Sequence, residues 1–295
     1  MTNNPHLRGS LYAFLGIFFI SFEALLVRLA HAPSPTILFW RGLFVGFSLT
    51  IFLSVRDKRS PFEILADCPR QYLTAALLFT LNGCGFVLSI ANTTVANTVV
   101  ILSTAPFFAA LFSFLLNREQ VKRHTLLAMV AMVVGTLVVV SSSFGTGRLL
   151  GDFLAILTAS SVGLGQAYLR RHQSLQRISI VMVSGYLMAL LTISFADLRP
   201  DISSLAVLAI MGMIQMPLAM VLFATATRFI SAAETSMFMI VETVLGPLLV
   251  FIFLGEKVPL NTLYGGIIII AALSINTWLS AKKTQINAPL APSTD

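Results

Sequence analysis

Glu242 lies near the middle of an apolar stretch, "MIVETVLGPLLVFIF" (residues 239–253), and is followed by Gly246 and Pro247. A charge at the centre of a bilayer costs at least about 2.5–3.5 kcal/mol, so a carboxylate there points to a function. Pro247 has no N–H to donate, which leaves the carbonyl of Thr243 without its helical partner, and Gly246 permits bending. Together they predict a kinked helix presenting a carboxylate at membrane depth. Such a group can carry a proton or bind the amine of a substrate. The competing reading is a packing role, with Glu242 hydrogen-bonded to a neighbouring helix.

Glu23 and Arg41 form a second candidate set. Each falls about seven residues from one end of an apolar run, which puts both roughly 10 Å below the same surface. Antiparallel neighbours could bring them together as an ion pair or around one cavity. An arginine can also bind a substrate carboxylate through two hydrogen bonds. Gln215, just before Pro217, and Asn82 are the polar residues best placed to line a cavity. Asn97, Gln166 and Asn276 are weaker candidates, each equally suited to an interhelical hydrogen bond. Arg28 is at a helix end and is expected to snorkel to the interface. Glu234, Glu119 and Glu256 are each expected to favour the N-terminus of a following or enclosing helix. Gly42 and Gly46 form a G-x-x-x-G expected to pack helices.

Of the 295 residues, 57% are hydrophobic and 11% are charged. Soluble domains carry about 25% charged residues, so the chain is a polytopic membrane protein. The net charge of +7 does not indicate nucleic acid, because the basic residues sit in short gaps between apolar runs. Cys68 and Cys84 lie in unlike surroundings and are not expected to pair. No Walker A sequence, H-E-x-x-H or Cys/His cluster is present, so no cofactor or metal is expected. Arg8 and "AHA" at 30–32 imitate a signal peptide, but the apolar run is too long and contains Glu23.

Ten apolar runs are long enough to span, near 9–30, 35–55, 71–90, 93–116, 123–141, 149–169, 178–196, 204–224, 231–254 and 259–280. A tight turn at 92–94 separates the third from the fourth. Placing the loops alternately puts fourteen of the 19 Lys and Arg on one side and four on the other, Arg28, Arg148, Arg199 and Lys257; Arg41 lies within a span. The positive-inside rule then makes both termini cytoplasmic. The loop 56–70 is expected to be a charged cytoplasmic connection, and 281–295 a disordered tail.

Shifted by 137 residues, 103–130 falls on 240–267, matching Leu111 with Leu248, Glu119 with Glu256 and Thr125 with Thr262. A shift of 142 pairs Gly9 with Gly151 and Arg28 with Arg170. Spans 1–5 therefore repeat as spans 6–10. Five is odd, so the second half enters the membrane inverted, which is a signature of secondary transporters.

"LLNREQV" and "FLGEKV" after the fourth and ninth spans, "AAETSMFMIVETVLGPLLVFIFLGEKV" and "TILFWRGLF" resemble the EamA domain family of the drug/metabolite transporter superfamily. Arg41 falls on that family's frequent arginine position, and Pro106 matches its usual proline. In the second half the aligned place is Thr243, with the proline displaced to Pro247. The resemblance covers about 9–280. It implies an all-α membrane protein of ten helices in two inverted five-helix repeats (9–141 and 149–280, joined by 142–148, after a cytoplasmic 1–8). It also implies a central cavity and frequent export of amino acids or related metabolites. The resulting expectation is a proton-coupled exporter of a small metabolite in the bacterial inner membrane, with Glu242, Glu23, Arg41, Gln215 and Asn82 as the site and kinks at Gly246, Pro247 and Pro106. Ten spans can enclose a cavity in one chain, which favours a monomer. An intramembrane enzyme on a lipid-linked substrate and a ligand-binding sensor are the alternatives; the repeat argues against a fixed catalyst.

Overall fold

Many large apolar side chains face outward, and several polar ones are buried among the helices, unlike a water-soluble protein. Leu127, Leu137, Phe251 and Phe253 are all more than 50% exposed, whereas Ser89, Thr98, Asp152 and Ser179 are completely buried. Lipid tails solvate leucine and phenylalanine as well as a protein core does, so helix contacts are left to small residues and hydrogen bonds. The structure, a computed structural model, describes residues 5–57, 66–118, 123–226, 229–230 and 232–286.

All regular structure among the described residues is helical. The helices are α1 (Pro5–Ser21), α2 (Glu23–Leu29), α3 (Ser34–Asp57), α4 (Pro69–Asn92), α5 (Val95–Leu102), α6 (Ala105–Asn117), α7 (Arg123–Ser141), α8 (Leu149–Arg171), α9 (Arg177–Thr192), α10 (Ile202–Ala209), α11 (Met216–Ala226), α12 (Ala232–Leu254) and α13 (Leu260–Ile286). A π-helical turn, Ile210–Gln215, joins α10 to α11. Among the described residues, six stretches are long and apolar enough to cross a membrane: Leu7–Leu29, Ser34–Arg56, Pro69–Asn92, Val95–Leu116, Leu149–Arg171 and Ile202–Phe223. Four shorter apolar helices accompany them. Residues 58–65 of the expected cytoplasmic connection, 287–295 of the expected tail, and Glu119 fall outside the described residues. The last helix runs on to Ile286, into the segment expected to be a tail.

Exchanging the two halves leaves the packing pattern unchanged. The α3–α9 and α7–α13 pairs map onto themselves, α4–α8 maps onto α11–α1, and α6–α8 onto α12–α1. Both self-mapped pairs cross at glycines. A Cβ on Gly42 would meet the Gly185 carbonyl oxygen at 2.5 Å, and one on Gly265 would meet that of Gly135 at 2.5 Å. Only glycine allows backbones so close. The G-x-x-x-G of α3 is thus a packing device, since Gly185 also faces Gly46. Gly9 and Gly151, paired by the repeat, also share a task. The first abuts Phe229 and Ile230, and the second abuts Asn92 and Thr93.

The turn at 92–94 forms as the polar patch predicts. Thr93 is extended, and Thr94 caps α5 by accepting the Asn97 N–H at 3.1 Å. The ends of α6 and α12 are alike: Arg118 (φ 54°) and Gly255 (φ 66°), one repeat apart, are both left-handed. An αL residue at this place frees the chain from the helix and satisfies its last carbonyls. Cys68 and Cys84 are both free and half-buried.

Candidate functional site

The first apolar run does not form one continuous helix. It breaks at Phe22, between α1 and α2, and the break sets up the polar centre of the molecule. Ser21 turns its hydroxyl back onto the Ile17 carbonyl at 2.9 Å. The Phe19 carbonyl receives the Phe22 N–H in a tight turn and also the Gln215 amide at 2.9 Å. Gln215 closes the π-helical turn, where the wider winding loosens the ladder of the eighth expected span. Irregular backbone at membrane depth is tolerated where it is buried in protein or lines a cavity.

Glu23 opens α2, directly after the break. Its carboxylate pairs with the guanidinium of Arg41 from α3. The side chains are only 13% and 7% exposed, so the pair is taken out of solvent. A buried pair holds only if its other valences are met, since desolvating each ion costs several kcal/mol. That condition is not fulfilled here. Arg41 Nη1 is buried and has no hydrogen-bond partner, and neither does the Gln215 Oε1. Arg41 Nη1 approaches Gly83, and the Arg41 charge acts on Cys84, both on α4. Gly212 of the π turn leaves just enough room for the Arg41 backbone, its Cβ position lying 3.1 Å from the Arg41 carbonyl oxygen.

Glu242 is on α12, which packs against α1, α2 and α5. Its side chain is partly accessible, and its charge interacts with that of Glu23. Among the described residues it has no ion-pair partner. The α12 helix runs continuously through Pro247, and a Cβ on Gly246 would lie 3.6 Å from Val99 of α5, at ordinary contact distance. Thr243 is buried. Pro106 lies in the first turn of α6, just after an interruption at Ser103–Thr104, where Thr104 bonds back to Ile101. Asn82 is half-buried beside Gly83 and makes no hydrogen bond among the described residues. The fold thus gathers Glu23, Arg41, Gln215 and Glu242 around one helix break. Asn82 is one residue from Gly83, where a Cβ would lie 3.8 Å from the free Arg41 nitrogen. Gln166 is exposed, and the Asn276 amide oxygen is buried without a partner. Glu234 belongs to α12, but its side chain lies outside what the structure describes.

The model of the EamA-like transporter family matches twice, over residues 7–141 and 149–278. The chain belongs to that family. It is therefore a multi-pass membrane transporter of the drug/metabolite superfamily, built from two repeats and handling a small molecule. A solved structure described as "Crystal structure of protein" superposes with a TM-score of 0.63 at 14% identity, covering 93% of this chain and 98% of that one, which shows a shared fold. No curated protein matches.

Two features of this EamA-like chain escaped the residue-by-residue reading. Asp152 is fully buried in the first turn of α8 and accepts hydrogen bonds from Thr93 at 2.7 Å and from the Asn97 amide at 3.1 Å. The same amide faces Ser142 and Ser143, and the Asn97 oxygen accepts from Thr262 of α13. This knot joins α5, α8, α13 and the chain after α7. An aspartate next to Gly151, in a run otherwise free of acids, was its sequence signal. Arg28 does not simply snorkel: it donates to the Thr93 carbonyl at 3.0 Å and faces Glu256 at 3.4 Å. Glu256, expected to serve the helix that follows it, instead caps α5.

Proposed function

We propose that this protein is a secondary transporter that exports a small metabolite of the amino-acid type by alternating access, with proton coupling. The observation that carries the reading is the unpartnered Arg41 Nη1, buried beside a Glu23 already committed to its other face, with an unpaired Glu242 within electrostatic range. A zwitterion needs such a pair of places. Its carboxylate can take the free edge of the guanidinium, and its ammonium can take the place of a proton on Glu242. Gln215 and Asn82 would line the same cavity. The ten spans, the inverted halves of 9–141 and 149–280, cytoplasmic termini and an inner-membrane location complete the reading. The loop charges and the odd span number of each repeat support it. A helix weakened at Gly246 and Pro247, and another interrupted before Pro106, supply places to bend.

The test uses purified protein in liposomes with a trapped pH dye, scanning amino acids for substrate-driven proton movement. Wild type should move protons with one substrate class, and Glu242→Gln should abolish that movement. Substrate flux without protons, equal in wild type and Glu242→Gln, would remove coupling from the reading. Arg41→Lys should raise the substrate concentration needed for half-maximal flux, because an ammonium cannot offer two parallel donors.

A further inference from the structure

We propose that a cleft at the end of the molecule holding Arg28, Arg148 and Lys257 is a second binding site, for the carboxylate or phosphate group of a small anion. The cleft encloses about 520 Å³ and is lined by these three cations with Thr93, Thr94 and Glu256 among others. The loop charges place four cations on this side of the protein against fourteen on the other, and three of the four converge here. A side depleted of positive charge has gathered nearly all it has in one concavity. Clefts of one sign concentrate oppositely charged small molecules and speed their capture.

The local backbone adds to this field. Thr94 caps α5, so that helix N-terminus meets the cleft, whereas the start of α8 after Arg148 already holds the buried Asp152 in its first turn. One oxyanion is already held there. Glu256 places one oxygen on the Val95 N–H at 2.8 Å and the other 3.4 Å from Arg28. The set of donors is therefore one that accepts a carboxylate. It is also only partly used. The Arg28 Nε is buried without a partner, and Arg148 and Lys257 have no acidic partner among the described residues. One acid against three cations leaves room for a second anion, which would bridge Arg28, Arg148 and Lys257. Arg28 is then a shared element: a ligand drawing it away from Glu256 would also loosen the tie between α2 and the start of α5. The inference deepens the transport reading by giving an anionic substrate a waypoint at the outer mouth.

The experiment needs no transport. Purified protein is placed in nanodiscs of phosphatidylcholine alone, and thermal unfolding is followed while sodium phosphate or sodium glutamate is added, with sodium chloride at equal ionic strength as reference. The comparison is with Arg148→Gln/Lys257→Gln, both exposed positions. Wild type should show a saturable rise in Tm with phosphate or glutamate beyond that in chloride. The double variant should unfold at the same Tm without anion and need about tenfold more to reach half the effect. An equal rise in the variant, or one matched by chloride, overturns the proposal. Repeating with phosphatidylglycerol discs separates the sources. If the lipid alone raises the wild-type Tm and free anions add nothing, the site stands but belongs to a lipid headgroup. Because binding is read without a gradient, a failed proton-flux test leaves this result untouched.

Discussion

The carboxylate of Glu256 accepts the backbone N–H of Val95 at 2.8 Å, across 161 residues of chain. A residue from the connection between the ninth and tenth expected spans therefore caps the fourth. The bond closes an otherwise orphaned donor at a helix start, and the same carboxylate faces Arg28. The two halves are tied at this point as well as along their glycine crossings.

Removing the cap should cost measurable stability. Glu256→Ala is expected to destabilise by about 1–2 kcal/mol, the usual range for a lost cap. Glu256→Gln keeps an acceptor for Val95 but loses the charge facing Arg28, and should lie between. Detergent-solubilised unfolding curves of the three proteins check this; equal curves would mean that Val95 finds water instead.

The Glu23–Arg41 pair should be strongly coupled. Arg41→Gln leaves a buried carboxylate without its counter-charge and is expected to cost about 3–5 kcal/mol. Glu23→Gln with Arg41→Gln should recover most of that loss. A double-mutant cycle reads the coupling, and additive losses would show that the two groups do not share their burial.

The glycine crossings should tolerate no methyl group. A Cβ on Gly265 would lie 2.5 Å from a backbone oxygen, so Gly265→Ala must push α7 and α13 apart, at about 1–3 kcal/mol. Its neighbour is a control. On Gly266 the nearest atom is a Val100 methyl at 3.5 Å, and Gly266→Ala should be neutral or stabilising by up to about 1 kcal/mol. Size-exclusion profiles after heating should separate the two variants.

Asp152 should resist even its isostere. Thr93 and the Asn97 amide both donate to one Asp152 oxygen, and the Asn97 amide also faces the other at 3.4 Å, so Asp152→Asn can keep the first oxygen but turns its own amide toward that of Asn97. Leaving one buried donor unmatched costs about 1–3 kcal/mol. Asp152→Asn should therefore unfold earlier than wild type, while Gln166→Ala, at an exposed position, should match it.

The membrane class, the two-fold repetition and the turn at 92–94 were legible in the residues. Hydropathy and charge respond to solvent one segment at a time, so a linear scan can read them. The repeat was visible because both halves solve the same packing problem, down to left-handed helix ends at Arg118 and Gly255. Glu23 and Arg41 could be matched in depth by counting rise per residue, but counting gives depth and not azimuth. The break at Phe22, the unused nitrogen of Arg41, the Gln215 bond to Phe19 and the Asp152 knot all depend on which helix faces sit opposite one another. Glu256 shows the limit most clearly. By sequence it belongs to the helix after it, and only the folded chain brings Val95 and Arg28 to it. Solvent preference is written locally along the chain, whereas the meeting of polar groups from different helices is decided only by packing.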